Sequence, residues 1–275
     1  MCRAHCQLRS GAGTRGALEL HSAAQRSCDP LTLSTVSAHR AGRLLQAHRR
    51  STDNVRRRHP IPLLATSLSL GPYGTNCYIV HPDDSSDCLV IDPGEEPERV
   101  LAALQELGLR CVAVLVTHAH LDHIGGVGAV AREAMSPVYT SAGDASVVAH
   151  INDHLWPGFG PYVEHQPEGI LAPGEPLRLG GIEITVLATP GHYAHSVSLL
   201  LTGPDGDQLL ASGDVIFAGS VGRTDLDGGD WPTLEQSIAL LIAEVGEDVP
   251  VLTGHGPVTT LRHERATNPF LGGLR

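Results

Sequence analysis

Seven consecutive residues, Thr117-His118-Ala119-His120-Leu121-Asp122-His123, put three imidazoles and a carboxylate into six positions. They stand directly after the continuous apolar run 111–116 and directly before Ile124-Gly125-Gly126. Such a run reads as a buried strand, so the polar cluster sits where the chain leaves the core and its side chains need partners. Divalent metal coordination satisfies imidazoles and a carboxylate together, which packing cannot do. Solvated loop histidines are the alternative, and clusters this dense rarely arise that way. Three later phrases supply further donors: Thr189-Pro190-Gly191-His192, Ser212-Gly213-Asp214 and Thr253-Gly254-His255-Gly256. Each follows a strand-like run and carries its donor in a glycine-containing loop. Gathered by a fold, five histidines and two carboxylates suffice for two metal sites with a carboxylate between them.

The elements that must position these loops are legible as an α/β pattern from Ile61 onward. Residues 62–70, 76–81 and 88–91 are β-rich runs separated by Gly-Pro-Tyr-Gly and His-Pro-Asp-Asp turns, and read as an antiparallel meander. Pro97 opens an amphipathic helix with Val100, Leu101, Leu104 and Leu107 on one face, and Gly108 ends it. A second half follows, with strands at 181–188, 196–201 and 208–212. Pro232 then starts a helix that aligns Leu234, Ile238, Leu241 and Ile242, and a short buried strand spans 250–253. Strands followed by helices in two halves predict two sheets packed face to face with helices outside.

Composition separates the chain into two materials. The net charge of −11 averages a front of 60 residues, with eleven arginines against three acids (+8), and a body of 215 residues at −19. The chain contains no lysine. Residues 1–60 read as a basic extension without fixed structure. Their composition also fits an organelle transit segment or a nucleic-acid-binding arm, and residues 61–275 read as one domain. No apolar run approaches the roughly 18 residues that span a bilayer, so the protein reads as soluble, without a membrane partner. Cys2, Cys6 and Cys28 lie in the front segment, and Cys77, Cys88 and Cys111 sit inside apolar runs with no C-x-x-C pair. That usage points to a reducing compartment, the cytoplasm, with the body cysteines as small core residues.

The residues His118-x-His120-x-Asp122-His123, His192, Asp214 and His255 resemble the metal ligands of the metallo-β-lactamase superfamily, over almost the whole of residues 64–272. Within it, Thr75-Asn76-Cys77-Tyr78, Val90-Ile91-Asp92-Pro93-Gly94, Gly213-Asp214-Val215-Ile216-Phe217, Gly222-Arg223-Thr224-Asp225 and Asn268-Pro269-Phe270 resemble the compact glyoxalase II-like hydrolases. The resemblance implies a four-layer αββα sandwich with the metal site at one edge of the sheets. It implies His118, His120 and His192 on one metal, Asp122, His123 and His255 on the second, and Asp214 bridging both. It implies two divalent ions, most often zinc, with iron or manganese in some glyoxalase II enzymes. A cysteine at the Asp214 position would have favoured a β-lactamase, and Asp214 argues against that activity.

Two such ions with two carboxylates and a hydroxide retain a charge of about +1, which favours a small anionic substrate; the resemblance implies that this is an acyl-thioester. Metal-bound water has a pKa lowered towards about 7, supplying hydroxide for attack on the carbonyl, and Asp122 is the expected catalytic residue that orients it and handles its proton. The resemblance leaves the carrier thiol open, because the twenty residues after His255 are too few for the helical domain with which larger glyoxalase II enzymes help bind glutathione. Two other readings compete: a mononuclear-iron persulfide dioxygenase, which His255 in its Gly-His-Gly loop argues against, and a nucleic-acid-processing member of the superfamily. An acidic body opposes the second of these. His195 is expected to play a structural or ligand-supporting role, and Arg223 to stabilise its turn. His150, His154, His165 and His263 read as surface or loop residues. The stretch 150–169, with Trp156, Phe159 and Tyr162, is expected to form a lid over the metal site that shapes the acyl pocket.

Overall fold

The computed structural model describes residues 34–37, 61–174 and 176–273. The first sheet has seven strands in sequence order: β1 (Ser34–Ser37), β2 (Leu63–Leu70), β3 (Thr75–Pro82), β4 (Asp87–Ile91), β5 (Arg110–Leu115), β6 (Val138–Thr140) and β7 (Gly169–Ile170). Strands β2, β3 and β4 form the expected antiparallel meander, and β4, β5, β6 and β7 then run parallel. The second half supplies β8 (Leu177–Leu179), β9 (Ile182–Ala188), β10 (Val197–Thr202) and β11 (Gln208–Gly213). A small ribbon follows, β12 (Ile216–Phe217) with β13 (Ser220–Val221), and then β14 (Pro250–Thr253) and β15 (Thr259–Thr260). The second sheet has the order β15-β14-β11-β10-β9-β8, so each half of the sequence makes one sheet.

Alternation along the strands decides what packs where. In β10, Leu199 and Leu201 face the other sheet while Leu200 faces the helices; in β11, Leu209 and Ala211 face inward and Leu210 outward. The inward set meets Leu63, Ala65, Tyr78, Val80, Leu89, Ile91, Ala113 and Leu115 of the first sheet, forming the core between the sheets. Complete burial of one such leucine contributes about 1.5–3 kcal/mol.

Helices cover both outer faces. Helix α1 (Pro97–Leu107) joins β4 to β5, starting at its proline and closing at Gly108, whose N–H donates to the carbonyls of Leu104 and Gln105. It packs with α3 (Val127–Ala134), which follows the one-turn α2 (Leu121–Ile124). The buried face of α1 is Val100, Ala103 and Leu104 rather than the expected leucine stripe. Leu101 is half-buried and Leu107 is exposed. After the short α4 (Ala145–Ala149), α5 (Trp231–Glu244) and α6 (Leu261–Thr267) cover the second sheet, with Leu234, Ile238, Leu241 and Leu261 packed on Leu210 and Val251. Asp230 caps α5 by accepting a hydrogen bond from the Thr233 N–H at 2.9 Å.

The four layers predicted from the sequence are therefore present. Of the front segment, Ser34–Ser37 pairs antiparallel with residues 64–67 at the sheet edge. The expectation of an unstructured extension otherwise falls outside the described residues, as do Cys2, Cys6 and Cys28. Among the described residues, no helix is long and apolar enough to cross a membrane. Cys77, Cys88 and Cys111 are buried free thiols.

Candidate metal centre

Strands β4 and β5 run parallel, as do β11 and β14, so the loops leaving their C-terminal ends gather along one edge of the two sheets. Hydrogen bonds sew that edge together. The Val197 N–H donates to the Thr117 carbonyl (2.9 Å), and Asn76 N–H to the Gly254 carbonyl (2.7 Å). Tyr78 Oη and Asn76 Nδ2 both donate to the Thr253 carbonyl, at 2.8 and 2.9 Å.

All seven donors singled out in the sequence meet here. His118, His120, Asp122, His123, His192 and Asp214 are buried, and His255 is half-buried beside the opening. One donor of each of His118, His120 and His192 lies within 4.8 Å of the others, and the same holds for Asp122, His123 and His255. In the first group, His120 Nδ1 is 3.1 Å from His118 Nε2 and 2.9 Å from His192 Nε2. Three ring nitrogens converging on one point is a poor hydrogen-bond arrangement, since one proton serves at most one of these contacts, and a good cation arrangement.

Asp214 stands between the groups. Its Oδ2 is 3.4 Å from both His192 Nε2 and His255 Nε2, and its Oδ1 is 3.3 Å from His123 Nε2. Oδ1 and His123 Nε2 are both buried without a hydrogen-bond partner. Such orphaned atoms are costly unless something else binds them, and a divalent ion fits a carboxylate oxygen facing an imidazole nitrogen. A Cβ on Gly254 would overlap Asp214 Oδ1, so glycine is required at that close approach.

The opposite ring nitrogens are held by the surrounding chain. Thr117 Oγ1 donates to Asp92 Oδ2 at 2.6 Å and so accepts from His118 Nδ1 at 3.1 Å, leaving His118 Nε2 free of a proton. His123 Nδ1 donates to Asp92 Oδ2 (3.0 Å), His192 Nδ1 to the Arg223 carbonyl (2.8 Å) and His255 Nδ1 to the Tyr73 carbonyl (3.3 Å). Thr75 Oγ1 donates to Asp122 Oδ2 at 2.7 Å.

Asp92 also lies within 4.8 Å of His118 and His123, yet its carboxylate is already engaged by the Thr117 N–H, Thr117 Oγ1 and His123. Neither Asp92 nor Thr75 carried a site role in the sequence reading. The signal was available: a carboxylate at the end of a buried strand, followed by Pro-Gly, here with φ 49°.

Electrostatics divides the donors. Burial drives the imidazoles of His118 and His192 down and that of His120 to about 4, so these rings are neutral. Burial also opposes charge on His123 and His255, but the carboxylates around them outweigh it. His123 is held well above its ordinary value and His255 at about 9. Burial would raise Asp122 and Asp214, while their imidazole partners hold Asp122 at about 2 and Asp214 well below its usual range. Without metal, the carboxylates thus favour the charged forms of His123 and His255, the charge a cation would otherwise supply.

The remaining expected residues fall around this centre. His195 is exposed, and its ring packs so closely over Gly143 that a Cβ there would collide with it; it belongs to none of the donor groups. Arg223 bonds Asp225 within its own turn at 2.6 and 2.7 Å and orients His192 through its carbonyl. His150, His154 and His263 are exposed, while His165 is half-buried against Glu168. In the 150–169 stretch, Trp156 stands with its ring centroid 5.8 Å from that of His120. Tyr162 is not among the residues that line the cavity at the centre; its hydroxyl bonds Glu95 and its backbone is tied to Asn152. A cavity of about 420 Å³ opens from Asp122, Asp214 and His255 to Tyr73, Trp156 and Leu226.

The profile of the metallo-beta-lactamase superfamily matches residues 70–255. The chain belongs to that superfamily. Among curated relatives, the probable metallo-hydrolase YqgX of Bacillus subtilis is 38% identical over 212 residues, covering 75% of this chain and 97% of its own. Hydroxyacylglutathione hydrolase GloC of Haemophilus influenzae is 31% identical, covering 71% and 92%. Among solved structures, the BLEG-1 B3 metallo-beta-lactamase superposes with a TM-score of 0.69 at 36% identity, covering 75% of this chain and 99% of its own. TTHA1623, in a di-iron-bound form, superposes at 0.65 and 38% identity, covering 74% and 99%.

Proposed function

We propose that this superfamily member is a metal-dependent hydrolase of acyl-thioesters. His118, His120 and His192 hold one divalent ion, Asp122, His123 and His255 hold a second, and Asp214 lies between them. The observation that carries this reading is the split engagement of Asp214, whose Oδ2 faces His192 and His255 while its unpartnered Oδ1 faces His123. The convergence of Asp122, His123 and His255 supplies the donors that a second ion would need.

Such ions supply an acidified water and Lewis-acid polarisation of a carbonyl. The chain's own residues do the rest. Asp122, held ionised and oriented by Thr75, is placed to accept a hydrogen bond from an attacking water beside the cavity and so to orient it. Asp92 and Thr117 orient His123 and His118, so the donors need not reorganise when substrate arrives. The thioester is supported by the likeness to the hydroxyacylglutathione hydrolase and by a carboxylate, not a thiol, at position 214. Zinc is the proposed metal, with iron the competitor because of the di-iron relative. We further propose a cytoplasmic location, which the buried free thiols favour.

The test is metal content per chain measured alongside turnover of S-D-lactoylglutathione and other acyl-thioesters, a β-lactam, and a persulfide with oxygen uptake. Two metals per chain with thioester cleavage support the proposal. One iron with oxygen consumption selects the dioxygenase, and turnover of the β-lactam alone selects a lactamase. Asp214→Ala is expected to lose both metal and activity; retained activity would refute the two-metal arrangement.

A further inference from the structure

The mouth of the cavity is built from rings that nothing in the metal chemistry requires. Tyr73, in the turn between β2 and β3, is 56% exposed. It stacks on Phe159 with centroids 5.7 Å apart and planes inclined by 3°, and meets Trp156 edge-on at 6.1 Å. Trp156 and Phe159 meet edge-on at 5.7 Å, and Trp156 reaches His120. Ten aromatic side chains occur in the whole chain, so placing three of them as a half-exposed group around a polar centre leaves apolar surface for something else to cover. The turn carrying Tyr73 is coupled to the centre, since the Tyr73 carbonyl accepts from His255 Nδ1.

The charges of the lining point the same way. Tyr73, Trp156 and Leu226 form its apolar side. Arg223 is the only Lys or Arg side chain among the described lining residues, and it is held by Asp225. The adjoining cavity, which shares His120, Trp156 and Leu226 with the first, adds His154, Asp225 and Asp227 and no arginine. Outside the donor groups, the described lining of the first cavity offers a carboxylate-rich substrate only the Arg223 guanidinium, which it must share with Asp225, whereas an apolar group finds a ready wall.

We propose that Tyr73 and Trp156, buttressed by Phe159, form an aromatic clamp that selects thioesters with an apolar acyl group over acetyl and small hydroxyacyl ones. The inference rests on the thioester reading and narrows it. The anionic character expected of the substrate is then confined to charge that develops at the reacting carbonyl. Each methylene moved from water onto an apolar wall changes affinity by a factor of about four when fully buried. For the four methylenes that separate hexanoyl from acetyl on a one-sided wall, the expected preference is about tenfold or more.

The experiment compares kcat/KM of the metal-loaded full chain for the acetyl, D-lactoyl and hexanoyl thioesters of N-acetylcysteamine, with metal content measured on every preparation. Hexanoyl is expected to lead, and Trp156→Ala and Tyr73→Ala are each expected to bring the hexanoyl-to-acetyl ratio towards one. A wild-type ratio near or below one overturns the clamp, as does an equal loss for all three substrates in metal-replete variants. If no thioester is cleaved, the reaction assignment fails separately, and the clamp is read by tryptophan fluorescence in a Trp231→Phe background. Quenching by hexanoate at concentrations where lactate has no effect supports it, and equal response to the two acids refutes it.

Discussion

Asp92 shows how a residue with no place among the donors can govern the centre. Its carboxylate takes the Thr117 N–H, the Thr117 hydroxyl and His123 Nδ1, and so fixes two imidazoles at once. Asp92→Asn keeps the volume and one acceptor oxygen but replaces the other, which takes both the Thr117 hydroxyl and His123 Nδ1, by a donor, and is expected to weaken metal binding by about 10–100-fold in chelator competition. An unchanged affinity would assign Asp92 to the fold alone. Asp144 makes a different prediction. It is fully buried with neither carboxylate oxygen partnered, and burial pushes its pKa up from 3.8 to about 6. The folded state therefore binds more protons than the unfolded one between these values, so stability falls as pH rises through that window and levels off above it. Asp144→Asn is expected to remove this slope and stabilise the protein at pH 7 by about 1–3 kcal/mol, checked by urea melts at pH 4.5 and 7.

At the scale of elements, the loop carrying His192 depends on α5. The Gly191 carbonyl accepts from the Asp230 N–H at 2.7 Å and the Pro190 carbonyl from Ser237 Oγ at 2.6 Å. Gly191 has φ 127°, and a Cβ there would overlap the backbone of Leu234 in the first turn of α5. Gly191→Ala is expected to cost about 2–4 kcal/mol and to lower metal occupancy, because loop and helix cannot both stay in place. A denaturation midpoint and a metal count equal to wild type would show the loop to be adaptable. The helix patterns were legible because 3.6-residue periodicity is local, as Val100 with Leu104 and Leu234 with Ile238 demonstrate. The exact face of α1, which buries Ala103 and leaves Leu107 exposed, was not legible, since the neighbours that decide it are not written in a helix's own sequence.

For the whole molecule, charge and sheet order matter most. The acidic body and basic front meet in the described structure only where β1 pairs on the edge of β2, and the described core clusters begin at Leu63. A chain starting at residue 61 is expected to fold, bind the same number of metals and melt about 2–4 °C lower, the shift that loss of roughly 1 kcal/mol produces at this size. Failure to fold would make the front segment part of the domain. RNA retained at low salt by the full chain and lost on truncation would favour the nucleic-acid reading of the front.

The sequence by itself determined the donor types, the strands that end in them and the division into two sheet-forming halves, because metal-ligand chemistry and hydrophobic alternation are written in neighbouring residues. Only the tertiary structure decided which nitrogen of each imidazole faces the centre, which oxygen of Asp214 faces which imidazole, and that Tyr73 meets Trp156 and Phe159. Those outcomes depend on contacts such as Asn76 with Thr253, 177 positions apart, and Thr75 with Asp122, 47 apart. Side-chain direction at such a meeting point is set by the partners that satisfy each buried polar atom, and those partners exist only once both sheets share an edge.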